Sequence, residues 1–315
     1  MRTLLPIPSL EEAEFVFDPH GVAEELVRYI DLVARGPSGA GVIIGNYGFG
    51  KTHLMLYLIN ATRKKFPNTL AIYVNSPGQS ILNIYRAFML AILSKELIKG
   101  MSDGLDQPFN DLLSLIAKGD DEAKYAKQWL LGDPVPQGFR TKYGLPSSRI
   151  TEELAIKLMI DILNLLVRQD IAPILIMLDE LEDILTIGPT KRLQYLNQLR
   201  LFIDSLSSKT LFLTSSTPAG WDGVVNIYPA LARRLSSFTV YLRPLNVDET
   251  GKFIAELIKW RGIKLNLNDE AVKVIHEFTE GNPGEIVKVL HLILLELNEK
   301  KLDADKVKEL LSRHV

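Results

Sequence analysis

Residues Gly45, Asn46, Tyr47, Gly48, Phe49, Gly50, Lys51 and Thr52 match the spacing G-x-x-x-x-G-K-[ST], and His53 follows directly. Glycines let successive backbone N–H groups turn inward around an anion. A helix opening at Lys51 adds the partial positive charge of its N-terminus. An ammonium such as that of Lys51 reaches β- and γ-phosphates, and a hydroxyl such as that of Thr52 holds Mg²⁺. A strand-to-helix turn that simply needs glycine would explain Gly45 or Gly48, but not Lys-Thr at the helix start. The segment Gly45–His53 is therefore expected to hold ATP or ADP with Mg²⁺.

A second candidate group lies at the end of an apolar run, "PILIMLDE", Pro173 to Glu180. Ligands of parallel sheets bind at the carboxyl ends of the strands. Asp179 is placed to join the Mg²⁺ shell, and Glu180 to orient and polarise the attacking water as the catalytic base. One acid after a strand is often only a helix cap; two in succession, in a chain that also holds the glycine-rich loop, favour the catalytic reading. Glu182 and Asp183 are read as solvated or structural. Ser216, or Thr217 beside it, could sense the γ-phosphate from a neighbouring strand end, though many strands end in a hydroxyl residue with no such role. Arg233 and Arg234 in "PALARRL" are candidates for an arginine finger reaching a neighbouring subunit, Arg234 slightly preferred. The competing role is to complement a helix C-terminus.

These residues need elements to position them. Helical spacing is expected over Asp18–Gly36, Lys51–Lys65, Ser80–Leu97, Thr151–Arg168 and Lys191–Leu206. Strands are expected over Gly41–Ile44, Thr69–Asn75, Pro173–Glu180, Thr210–Ser216 and Phe238–Leu245. Strands apolar on both faces and alternating with helices indicate a parallel sheet covered on both sides. The fold class is thus α/β: a P-loop NTPase parallel sheet with helices on both faces, followed by a small all-helical lid domain. The expected division is 1–243 for nucleotide binding, with an insertion at about 100–150, and 244–315 for the lid. Asp103–Ser148 is polar and broken by Gly and Pro, with room for one or two short helices. Its Trp129, Leu130 and Leu131 either cover the sheet, the preferred role, or anchor a partner.

Composition narrows the classes further. The chain has 315 residues, 47% of them hydrophobic, and a formal net charge of −2. That balance demands neither a nucleic-acid nor a membrane partner. There is no cysteine, which excludes disulfides and thiolate metal sites. The opening "MRTLLPIPSLEEAEF" does not read as a signal peptide, and no apolar run is long enough to span a bilayer. A cytoplasmic location is expected.

Loop, Asp-Glu pair, hydroxyl-ended strand, Arg-Arg and a trailing helical segment occur in an order that resembles the AAA+ ATPases, from about Asp18 onward. Within them the sequence is similar to archaeal origin-recognition and STAND-type ATPases. The stretches "YGFGKTHL", "KQWLLGDP", "IMLDELEDIL", "SSTPAGWDG" and "PALARRL" resemble ATP-binding proteins of BREX phage-defence systems. The resemblance implies a five-stranded core, a helical lid over the nucleotide, Lys51 and Thr52 on phosphate and Mg²⁺, Asp179 on Mg²⁺ and Glu180 as base. It also implies self-assembly into an oligomer and, as partner, a DNA-processing protein or DNA itself. One departure stands out. Many such lids place an arginine in a Gly-x-x-Arg helix start, where "GNPGEIVKVL" has Gly284. Lys288 lies one turn further on; a surface lysine is the simpler reading of it.

Three functions fit. The first is a Mg-dependent ATPase that remodels or loads a DNA-associated complex, in phage defence or DNA processing. The second is a nucleotide switch that signals through assembly. The third is a P-loop small-molecule kinase, against which the Asp-Glu pair and the lid both speak.

Overall fold

In a computed structural model, the structure describes residues 12–93, 97–98, 101, 104–296 and 301–313. Five strands form one sheet in the order β2-β3-β4-β1-β5. They are β1 (Gly39–Ile44), β2 (Leu70–Val74), β3 (Ile174–Leu178), β4 (Thr210–Ser216) and β5 (Thr239–Tyr241). β3 runs parallel to both neighbours, with Leu178 opposite Val74 on one side and Thr214 on the other. Every residue of β3 and β4 is buried, as expected of central strands covered on both faces; β3 is apolar throughout, while β4 carries apolar residues only at Leu211–Leu213.

Most elements fall where hydrophobic spacing places them. The helix after the glycine-rich loop spans Lys51–Lys65 as expected, with Arg63, Lys64 and Lys65 in its last turn. Lys65 pairs with Asp31, so the basic cluster complements the helix end and a neighbouring acid. The helix expected over Asp18–Gly36 runs from Val22 to Ala34. Asp18 stays outside as its cap, its Oδ1 accepting from the Val22 N–H at 2.7 Å. Thr151 likewise caps the helix Glu152–Arg168. The helix expected over Ser80–Leu97 is seen from Leu82 to Ile92; residues 94–96 of that expectation lie outside the described residues.

Three findings differ from the sequence reading. β5 is much shorter than the expected Phe238–Leu245. One further bond, from the Leu242 N–H to the Ile44 oxygen, extends the pairing, and Pro244 then has no N–H to offer. The segment 104–148 holds three helices, Phe109–Lys118, Ala123–Leu130 and Gln137–Lys142. After β5, the chain is not helical throughout: Asn266–Leu267 (β6) pairs in parallel with Lys301–Leu302 (β7).

The chain divides into two compact units. One gathers the described parts of Met1–Val27, Ile44–Ala61 and Val240–Val315; the other gathers Arg28–Ile43 and Thr62–Thr239. The first has its own core, in which Leu257, Ile275, Ile286, Leu290, Ile293 and Leu310 are buried. Phe15 stacks on Trp260 at 5.4 Å between ring centroids, and Phe17 meets Phe253 at 5.6 Å. Helix Val247–Arg261 opens on a capping box of Asn246 and Glu249 and ends at Gly262 in the left-handed region.

In the second unit, Trp129 is fully buried. Its indole N–H donates to the Ser147 oxygen at 3.0 Å, and its ring lies 6.0 Å from that of Phe109. Trp129 is thus a core residue of this segment rather than an exposed partner anchor. Trp129→Ala should cost about 3–5 kcal/mol, read as a lowered urea midpoint. A loss below about 1 kcal/mol would take Trp129 out of the core.

Candidate nucleotide site

Two groups of candidate residues stand out, the loop Gly45–His53 in one unit and the acids Asp179 and Glu180 in the other. In the first, β1 feeds the loop Gly45–Gly50, which opens directly into the helix Lys51–Lys65. Gly48 and Gly50 have φ of +81° and +88°, values an L side chain rarely adopts, so the turn requires glycine at both. Lys51 is 8% exposed. Its ammonium donates to the Gly45 oxygen at 2.7 Å and the Asn46 oxygen at 3.2 Å, which folds the side chain over its own loop. The Tyr47 ring lies 5.3 Å from that ammonium, and Tyr47 is otherwise among the most exposed large side chains, at 71%. Thr52 and His53 are half-buried on the first helical turn. The His53 Nε2 lies 2.6 Å from the Phe15 oxygen, so His53 meets the segment before the first long helix. No acid stands in the first turn of this helix, so nothing there opposes an anion.

In the second unit, β3 delivers Asp179 and Glu180 into different surroundings. Asp179 is 2% exposed and Glu180 is exposed. The Asp179 carboxylate accepts from the Tyr73 hydroxyl at 2.9 Å, from the Ser215 hydroxyl, and from the Glu180 N–H at 3.1 Å. A buried carboxylate demands such donors. Tyr73 comes from β2 and Ser215 from β4, so the two strands flanking β3 each contribute one. Glu180 sits in the left-handed region, at φ 54° and ψ 50°, and its N–H also donates to the Ser215 oxygen at 3.0 Å. A non-glycine residue held there is strained, and this hydroxyl is one of the contacts that hold it. The following turn is pinned as well. Glu182 accepts from the Thr217 N–H at 3.0 Å and Asp183 from the Ser76 hydroxyl at 2.7 Å. Both acids are therefore structural.

The hydroxyl that meets the acids is thus Ser215, which the sequence reading missed. Ser216 is fully buried and donates to the Thr217 oxygen at 3.1 Å. Thr217 caps the helix Pro218–Ile227 through the Gly220 N–H. Only register separates the three: Leu178 faces Thr214, which places Ser215 beside Asp179.

The two arginines also differ. Arg234 bonds Asp204 at 2.5 Å, and that hydrogen bond, against some desolvation, holds the Asp204 carboxyl below its ordinary range. Arg233 is exposed, with no ion pair among the described residues. Lys288 is exposed and pairs with Glu285 at 2.7 Å.

A parallel sheet with a glycine-rich loop after one strand and an Asp-Glu pair after another defines a P-loop NTPase. More narrowly, the family described as an ATPase domain predominantly from Archaea matches residues 23–289, and the chain belongs to it. It is an ATP-hydrolysing enzyme. No curated protein matches the sequence. Among solved structures, the ORC2 protein of Aeropyrum pernix in its ADP form is similar at a TM-score of 0.56 and 16% identity, over 94% of this chain and 69% of that one. The ORC1 protein of the same organism, solved in complex with DNA, gives 0.57 and 15%, over 99% and 68%. Domain III of the Thermotoga maritima replication initiation protein DnaA gives 0.50 and 16%, over 97% and 95%. At these identities the likeness is one of fold. No described helix is long and apolar enough to cross a membrane.

Ser215→Ala removes a donor from a buried carboxylate and an acceptor from the Glu180 N–H. ATP turnover should fall about tenfold or more, since a hydrogen bond to a charged group is worth about 1.5–3 kcal/mol. Ser216→Ala should lose less than about threefold, because its partner is a neutral carbonyl. Equal losses in the two variants would contradict this assignment.

Proposed function

We propose that the loop Gly45–His53 holds the phosphates of ATP through backbone N–H groups and Lys51, while Thr52 and Asp179 hold Mg²⁺ and Glu180 orients the attacking water. The observation that carries this reading is the contrast between two adjacent acids. Asp179 is buried among hydroxyl donors, and Glu180 is exposed on a strained turn. One carboxylate is thereby fixed in place and the other reaches outward. The division into a nucleotide-binding domain, 1–243, and a lid, 244–315, belongs to the same proposal.

The residues present suit such a metal. Among the described residues no group of three or more His, Cys, Asp or Glu could hold an ion by itself. Mg²⁺ in nucleotide sites needs only one or two protein oxygens, with water and phosphate supplying the rest. When bound, it neutralises charge on the phosphate oxygens. The Lys51 ammonium exchanges its own loop carbonyls for phosphate oxygens. Glu180 accepts a hydrogen bond from the water whose oxygen attacks the γ-phosphorus, and takes its proton as the bond to the bridging oxygen of ADP breaks.

We further propose that hydrolysis drives remodelling or loading of a DNA-associated complex, in DNA processing or phage defence, by an assembly of several copies. The likeness in fold to a DNA-bound ORC1 protein supports this. We assign the arginine finger to Arg233 rather than to Arg234, the residue preferred from sequence, because Arg234 pairs with Asp204. The competing reading is a switch that retains nucleotide and turns over little.

Steady-state ATP turnover with and without single- and double-stranded DNA separates the two. Continuous turnover, raised severalfold by DNA, is expected; bound nucleotide carried through purification with negligible turnover would favour the switch. Lys51→Ala should abolish ATP binding, and Glu180→Gln should bind ATP without hydrolysing it. A Lys51→Ala variant that still binds ATP tightly would refute the loop assignment. Mixing Arg233→Ala with Lys51→Ala subunits should restore part of the turnover. If both variants assemble normally and none returns, Arg233 is not a finger acting between subunits.

A further inference from the structure

The glycine-rich loop is gripped from its outer side by the turn that opens the helix Pro283–Glu296. The Asn282 side-chain N–H donates to the Tyr47 oxygen at 3.0 Å, across 235 residues of sequence. The Gly284 N–H donates to the Gly48 oxygen at 2.9 Å. The approach is close. A methyl group on Gly284 would lie 3.0 Å from both the Cα and the oxygen of Gly48, and one on Gly48 would lie 2.4 Å from the Asn282 Oδ1. Glycine is needed on both sides of this contact because the two backbones nearly touch. Asn282 also has a purely local task, since its Oδ1 accepts from the N–H groups of Gly284, at 3.0 Å, and Glu285, at 3.4 Å. That caps the helix.

We infer that Asn282 and Gly284 are positioning residues that couple bound nucleotide to this helix through the loop's own peptide groups. The inference rests on the nucleotide reading of the loop. A peptide group presents its N–H and its C=O in opposite directions. In a phosphate-binding nest the N–H groups face the anion. The Gly48 N–H shares its peptide with the Tyr47 carbonyl, which is thereby left to the helix, while the Phe49 N–H, on the peptide of the Gly48 carbonyl, donates to the Asn46 oxygen at 3.2 Å and must exchange it for phosphate. Charge drawn onto the N–H side polarises the same peptide and strengthens its carbonyl as an acceptor, by about 10–30% per bond. A change of loop shape moves both faces at once. No cationic side chain is required for this link. Gly284 contributes only its backbone, and Lys288 is engaged by Glu285.

Amide hydrogen exchange on the whole chain, with and without saturating MgADP, tests this, with ADP affinity measured separately by a fluorescent analogue. In the wild type, MgADP should slow exchange at Gly284 and the first turn of its helix about fivefold or more, relative to the helix Val247–Arg261. Asn282→Asp keeps an oxygen for the cap and loses the donor to Tyr47. In that variant at saturation the slowing should fall below about twofold. By reciprocity of linkage, ADP affinity should drop by a similar factor, about fivefold. Gly284→Ala, which intrudes on the close approach and leaves Asn282 intact, should behave alike. Full slowing in both variants, or unchanged exchange in a wild type that binds ADP, overturns the inference. A wild type that binds no ADP overturns the nucleotide reading, and this coupling with it.

Discussion

A carboxylate at the end of a fully buried strand is the constraint on which the second unit depends. Asp179 has lost almost all contact with solvent, and an ionised group there must be surrounded by donors. They come from β2, from β4 and from the next residue of the chain. That requirement fixes more than one side chain. It demands that Ser215 stand level with Asp179 and that Tyr73, paired with Met177 two residues earlier, share its face, which the parallel register delivers and a one-residue slip would reverse. It also draws Glu180 into a backbone shape that few residues adopt. The acid that faces outward is thus positioned by the acid that does not.

The first unit meets a similar demand by another means. Its loop must present N–H groups to an anion, so its carbonyls need partners elsewhere. Lys51 serves those of Gly45 and Asn46, while Asn282 and Gly284 serve those of Tyr47 and Gly48. Four consecutive carbonyls are thereby accounted for, two by the helix the loop opens and two by a helix far along the chain. Preorganisation of this kind keeps the loop's shape from depending on the ligand alone.

Much of this could be read in the sequence, and the exceptions have a common cause. The loop and the acid pair are local patterns, since each sits where an apolar run stops. The core of β3 and the limits of the helix after the loop follow from an unbroken apolar run and helical spacing. Choosing Ser215 over Ser216 needs the alignment of β3 with β4, which no local pattern encodes. The pairing of β6 with β7 involves two residues on each side, too few for alternation to show. The helices of 104–148 are short, and their few buried residues, such as Phe109, Trp129 and Phe139, are diluted by polar ones. Gly284 was conspicuous only as a departure from a resemblance. Its backbone contact with Gly48 lies beyond any reading of residue types.

The aromatic residues near the start carry a consequence for where this protein can be cut. The family match runs from Ala23 to Val289, yet Phe15 and Phe17 pack into the helical core ahead of it and Leu310 and Leu311 behind it. The Phe15 carbonyl also lies against His53, two residues beyond the lysine of the loop. Limits drawn by kinship thus pass through the middle of an oil drop. A fragment trimmed to them would keep every residue assigned to chemistry while stripping the packing that steadies the helix on which those residues ride.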